Sequence, residues 1–179
     1  MNDIPASVLR RLLLGAAVWL IAVLAPIAAA APLAAQDVGL AVGRVPDAVQ
    51  LEDIEGNAFD FASVVGRKPV LIEFWATWCP LCAALEPRIR AAKQEHGDAL
   101  EVIIVAVGVN QSPRSIRRHI EKHPQPGRLV FDARGRASRA YMAPSTSYVV
   151  ALDAQGRVVY TGVGEDQNIA AAARKAVGQ

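Results

Sequence analysis

The chain of 179 residues has little cysteine, with only two, and carries only three histidines and two methionines. Two cysteines allow a single disulfide at most, and with no second cysteine pair the usual four-ligand zinc arrangement has only half its thiolates. Neither sign of charge is in excess: nineteen Lys and Arg against seventeen Asp and Glu leave a formal net charge of +2. Nothing global therefore points to nucleic acid or to an acidic substrate. No internal repeat is visible. What the chain does have is enough length for one ordinary domain with one core, plus an extension.

That extension is the N-terminus. Arg10 and Arg11 precede residues 12–35, a stretch with no charged residue that ends in alanine-rich sequence. Residues 1–35 read as a signal peptide or an N-terminal membrane anchor. Ala29-Ala30-Ala31 offers small residues for cleavage, and the apolar run is also long enough to span a bilayer. Pro26 and Pro32 favour cleavage. In either case the positive-inside rule keeps Arg10 and Arg11 in the cytoplasm and carries the rest of the chain to the periplasmic side, an oxidising compartment.

Residues 36–44 read as a spacer and 45–179 as the folded domain. Short strands at 49–51 and 58–61 flank the turn Glu55-Gly56-Asn57, a hairpin leading into the apolar strand Val70–Trp75. A helix follows Pro80 and runs to His96, stopped by Gly97. Residues 102–107 form a β-branched run without a polar break, the pattern of a strand covered on both faces. Ser112 and Pro113 have the register of an N-cap and a first helical residue, with Ile116 and Ile120 on one face and an end before Pro124. A strand at 129–131, a helical turn at 136–141, a hairpin of 147–152 with 157–161 and a closing helix at 168–177 complete the order.

Both cysteines fall in Trp78-Cys79-Pro80-Leu81-Cys82, directly after the first long strand. Thiols at this spacing, where a strand gives way to a helix, close a disulfide and reopen it by exchange with a partner. A static disulfide or half of a zinc site are the alternative readings.

With this order of elements around the cysteine pair, the chain from about residue 45 onward resembles the thioredoxin-like superfamily, and specifically the TlpA/ResA-like group of exported thiol–disulfide oxidoreductases. Phe74-Trp75-Ala76-Thr77-Trp78 before the first cysteine, Pro87 after the second, and a proline ahead of the last hairpin carry the resemblance. It implies an α/β thioredoxin fold, a central mixed β-sheet flanked by helices, here with an N-terminal β-hairpin extension. It also implies a kink at Pro87, since proline inside a helix removes a backbone hydrogen bond.

The chemistry follows from placement. Cys79 at the helix N-terminus has its thiolate favoured by free N–H groups and the helix dipole, which makes it the nucleophile; Cys82, one turn inside, resolves the mixed disulfide. Pro80 fixes the backbone between them. Glu73 interrupts an apolar strand six positions before Cys79. If buried, its raised pKa suits it to take the proton of Cys82 near neutral pH; on an edge strand it would point to solvent. The resemblance agrees with a buried acid at this place. It also implies a cis-proline that offers the preceding backbone to an extended substrate: Pro144, preceded by Ala143, is the candidate. The interval from Pro144 to Gly156 is a few residues longer than the group's pattern, which leaves Ser147 as the alternative occupant. Trp78 would shape the docking surface, while Trp75, Tyr141 and Tyr148 read as packing residues.

Between Ser112 and Arg139 the basic residues Arg114, Arg117, Arg118, Lys122, Arg128, Arg134, Arg136 and Arg139 face only Glu121 and Asp132. Such a run reads as a solvated face before it reads as a docking surface. His119 and His123 can share a helix face, but two histidines without a third ligand do not make a dedicated metal site. The expected function is periplasmic exchange of a dithiol with protein thiols or disulfides, needing no cofactor beyond the cysteine pair. Reduction of the cytochrome c maturation type, fed by an inner-membrane electron donor, is preferred. A disulfide-forming oxidase, or a copper-binding module using the same thiols as soft ligands, are the alternatives.

Overall fold

The computed structural model describes residues 39–179. The expected signal or anchor, residues 1–35, lies outside the described residues. Among the described residues no helix is long and apolar enough to cross a membrane.

The elements follow the sequence order closely. A hairpin of β1 (Gln50–Glu52) and β2 (Ala58–Asp60) leads through a short 3-10 turn to β3 (Val70–Trp75). Then come α1 (Pro80–His96), β4 (Glu101–Val107), α2 (Pro113–Ile120), β5 (Arg128–Asp132), α3 (Arg136–Ala140), β6 (Tyr148–Leu152), β7 (Val158–Gly162) and α4 (Ile169–Val177). Capping explains several boundaries. The Ser112 side chain and Ser115 form a reciprocal capping box with Pro113 as the first helical residue, and Asn168 accepts from the Ala171 N–H at the start of α4. Pro87 lies inside α1, where it leaves the carbonyl one turn earlier without its usual donor.

The strands form one mixed sheet in the order β2-β1-β5-β4-β3-β6-β7. At its centre β3 pairs in parallel with β4 and antiparallel with β6. Alternation along β3 divides the core. Leu71 and Trp75 point to the layer formed by α1, α2 and α4, with Cys82, Leu85, Ile89, Ile116 and Ala172. Val70, Ile72 and Phe74 point to the other layer, with Phe61, Ala137, Tyr141 and Tyr148. This is the thioredoxin-like arrangement expected, and β4 is buried through its middle on both faces.

The hairpin precedes β3 along the chain, as expected, and joins the far side of the sheet: β1 pairs with β5, antiparallel, at Glu52 and Phe131. The strand it feeds is central because the two helical crossovers place β4 and β5 between them. The described part of the predicted spacer, 39–44, also belongs to the domain, so a start at Val45 falls late. Leu40 is buried and its N–H donates to the Tyr148 hydroxyl at 2.9 Å. Gly43 donates to the Val158 carbonyl at 2.7 Å, and Val158 returns a bond to the Arg44 carbonyl at 2.8 Å. Gly39, at φ +85°, lies against the Tyr148 ring with no space for a Cβ.

Candidate active site

Cys79 and Cys82 are joined in a disulfide with their Cα atoms 5.3 Å apart. Local chemistry sets this geometry. Cys79 is the N-cap of α1, in an extended conformation, and its Sγ accepts the Cys82 N–H at 3.1 Å. Pro80 is the first helical residue, a position where its missing N–H leaves nothing unsatisfied. The cysteines differ in access: Cys82 is 0% exposed and Cys79 6%. Only Cys79 reaches the rim, and there a thiolate would meet the helix N–H groups and dipole.

The turn before Cys79 is held by residues that sequence reasoning did not single out. Gln111 spans two segments: its Oε1 accepts the Thr77 N–H at 3.0 Å and its Nε2 donates to the Val107 carbonyl at 2.6 Å. The Trp78 indole N–H donates to the Val109 carbonyl at 2.9 Å, yet the side chain is 48% exposed. A glutamine just before an N-cap carries no distinguishing signal in one sequence, because the Thr77 N–H that it holds lies thirty-four positions away. Trp78 also lines a largely apolar groove of about 450 Å³ with Val107, Val109, Ala143 and Thr146. Ala143 thus lines the same groove as Trp78, whereas Pro80 and Pro144 are simply exposed.

Glu73 is buried in the middle of β3. The edge-strand alternative fails, since β3 has neighbours on both sides. Alternation places Glu73 between Leu71 and Trp75, facing the layer that holds Cys82. Its Oε1 has no hydrogen-bond partner. Burial pushes its carboxyl up to about 8, and the carboxylate of Glu86 adds a smaller push in the same direction. Glu86 lies one turn beyond Cys82 on α1 and pairs with Arg90 at 2.6 Å.

The expected cis-proline is not there. No described peptide bond is cis, so Pro144 is a trans loop residue. Entry to β6 is made instead by Ser147, in the left-handed region at φ +61°. Its N–H donates to the Phe74 carbonyl at 2.8 Å, a bond proline could not make. The Gln167 side chain donates to its carbonyl at 2.9 Å, and the Gly164 N–H donates to its hydroxyl at 3.2 Å. These three bonds hold a conformation that non-glycine residues rarely adopt. Ser147, the alternative occupant raised by the long interval, takes the place beside β3.

On the other side of the turn, Trp75 is buried and packs edge-on against His119, ring centroids 5.5 Å apart, with His123 4.8 Å beyond. Burial lowers the His119 pKa, His123 lowers it further, and Glu86 opposes both. Tyr141 and Tyr148 are buried packing residues, as expected.

A pair of cysteines at a helix N-terminus, one at the rim and one enclosed in the layer that a buried acid faces, is the equipment of thiol–disulfide exchange, and the relatives agree. The thioredoxin-like protein YneN of Bacillus subtilis is 27% identical over 131 residues, 72% of this chain and 75% of that protein. The thiol–disulfide oxidoreductase ResA of Halalkalibacterium halodurans is 25% identical over 114 residues, 64% of each. In fold, the chain is similar to a putative thiol:disulfide interchange protein DsbE from Chlorobium tepidum, with a TM-score of 0.69 and 19% identity, covering 78% of this chain and 99% of that one. The Redoxin family matches residues 41–177. The chain belongs to the Redoxin family and is a TlpA/ResA-like thiol–disulfide oxidoreductase.

Proposed function

We propose that the domain works on the periplasmic side as a reductase of protein disulfides, of the cytochrome c maturation type. In this role Cys79 is the nucleophile, Cys82 the resolving thiol and Glu73 the proton acceptor. The observation that carries the assignment of roles is the contrast between the two sulfurs: Cys79 meets the surface, Cys82 does not. The Cys79 thiolate attacks a partner disulfide, forming a mixed disulfide and releasing one partner thiolate. Glu73, facing the Cys82 layer with an unpartnered oxygen, takes the Cys82 proton. The Cys82 thiolate then attacks the Cys79 sulfur, expels the second partner thiolate and closes the pair. Two electrons pass to the partner, and an inner-membrane donor restores the dithiol. Trp78 and Ala143, with the Pro80 and Pro144 surface on either side, receive the substrate chain.

The uncharged stretch 12–35 behind Arg10 and Arg11 supports export, either as a cleaved signal or as an anchor in the inner membrane. Resemblance to the TlpA/ResA-like group supports the reducing direction. Alkylation of the pair in intact cells tests it. A mostly reduced pair that turns oxidised when periplasmic electron supply is blocked is the expected result. A steadily oxidised pair would assign the oxidase direction instead.

A further inference from the structure

The turn that carries Cys79 borders two recesses of opposite character. Trp78 lines the apolar groove described above. Its neighbour Thr77 lines a separate open cavity of about 330 Å³, walled by Ser115, Arg118, His119, Lys122 and His123. These five residues recur at helical spacing, so they form one stripe along α2 and the turn that continues it, where the His123 N–H bonds to the His119 carbonyl at 3.0 Å. The wall holds no acidic side chain. Among the described residues, neither Arg118 nor Lys122 takes part in an ion pair, whereas Arg117, on another face of the same helix, reaches Glu55 at 4.0 Å and the Ile54 carbonyl at 2.7 Å. The basic stripe is therefore not spent on the fold. The Thr77 hydroxyl adds a hydrogen-bond donor for an anion, whereas the Ser115 hydroxyl already donates to the Ser112 carbonyl at 2.9 Å.

We propose that this cavity receives an acidic segment of the partner protein, Asp or Glu residues close to the cysteine being exchanged. The inference rests on the thiol-exchange reading above. Location selects the occupant: Thr77 stands two residues before Cys79, and Gln111 fixes its backbone, so a ligand in the cavity lies next to a chain docked on the disulfide. A polypeptide that presents a cysteine to Cys79 can present a neighbouring carboxylate to Arg118 and Lys122. The cavity has room for one or two such side chains. Because the cations are exposed, the attraction acts mainly on the rate of encounter and fades with salt. A carboxylate there would also favour protonated His119, countering the burial and the His123 charge that lower its pKa.

The test uses two disulfide-linked peptides that are identical except for Asp-Asp or Asn-Asn beside the reacting cysteine, with the reduced protein. At low salt the acidic peptide should exchange about three- to tenfold faster than the neutral one. High salt, or the exposed double substitution Arg118→Ser with Lys122→Ser, should bring it down to the neutral rate. Equal rates for the two peptides in the native protein would overturn the proposal while leaving thiol exchange intact. Exchange with neither would overturn both. A second measurement follows the His119 ring by NMR titration with a cysteine-free acidic peptide, which should raise its pKa. A response to inorganic phosphate without one to the peptide would mark an inorganic-anion site and refute the assignment.

Discussion

The rim and the floor of the active site are built on the same helix from cysteines of the same type, yet they are prepared for different work. At the rim Cys79 caps the helix, with an exposed Trp78 on one side and recesses opening from the turn. At the floor Cys82 is enclosed, on a layer that also receives the buried Glu73. A sulfur at the rim can be attacked by a macromolecule. A sulfur at the floor is reached only by groups of its own chain, and in the proposed mechanism Glu73 is the group that takes its proton. Spacing alone does not create this difference; one turn of helix pressed against a sheet does.

The largest effect should come from removing either sulfur. Cys82→Ala should accumulate mixed disulfides through Cys79, seen as reducible adducts on gels, whereas Cys79→Ala should trap almost none because Cys82 is enclosed. Equal trapping by both would erase the contrast between rim and floor.

Glu73→Gln comes next. It should slow resolution by about 10²-fold near neutral pH, within the usual range for a positioned base, as measured by decay of a preformed mixed disulfide. It should also change stability with a definite sign. The Glu73 carboxyl stands near 4.5 when unfolded and about 8 when folded. The folded protein therefore keeps its proton longer than the unfolded chain. The stability linked to this group is fully present below the unfolded value and is lost as pH rises toward 8, beyond which it stays lost. The loss is on the order of a few kcal/mol. Denaturation of the oxidised protein at acid and alkaline pH should show this decline in the native chain and its absence in Glu73→Gln.

Glu86→Gln sharpens the floor further. Removing the like charge should lower the Glu73 pKa, by less than burial raises it, since burial is the larger cause. The pH profile of resolution should move to lower pH. The smallest effect on the fold belongs to Trp78→Ala at the rim. Loss of the indole bond to Val109 from a half-exposed side chain should cost about 1 kcal/mol, while partner exchange slows several-fold. A large stability loss would mean that Trp78 belongs to the core instead.

Much of this was legible in the chain because it depends on neighbours within a turn. Pro80 to His96, Ser112 with Pro113, and the glycine-bearing turn after Asp153 each signal their structure through residues a few positions apart. Val70–Trp75 showed its burial through a run of apolar residues, and Glu73 stood out by interrupting it. Pro144 misled because proline is conspicuous in a sequence whereas a left-handed serine is not. The bonds that hold Ser147 come from Phe74, Gly164 and Gln167, none of them adjacent. Gln111 was invisible for the same reason.

By itself the sequence determined the order of strands and helices and the placement of a redox pair at a helix N-terminus, since caps, breakers and apolar periodicity are local interactions. Only the tertiary structure decided that Glu73 is enclosed, that Ser147 rather than Pro144 enters β6, that the first hairpin joins β5, and that a basic stripe borders the active-site turn. Each of these depends on which distant segments exclude water from one another or exchange hydrogen bonds, and that is settled when the sheet closes between its two layers.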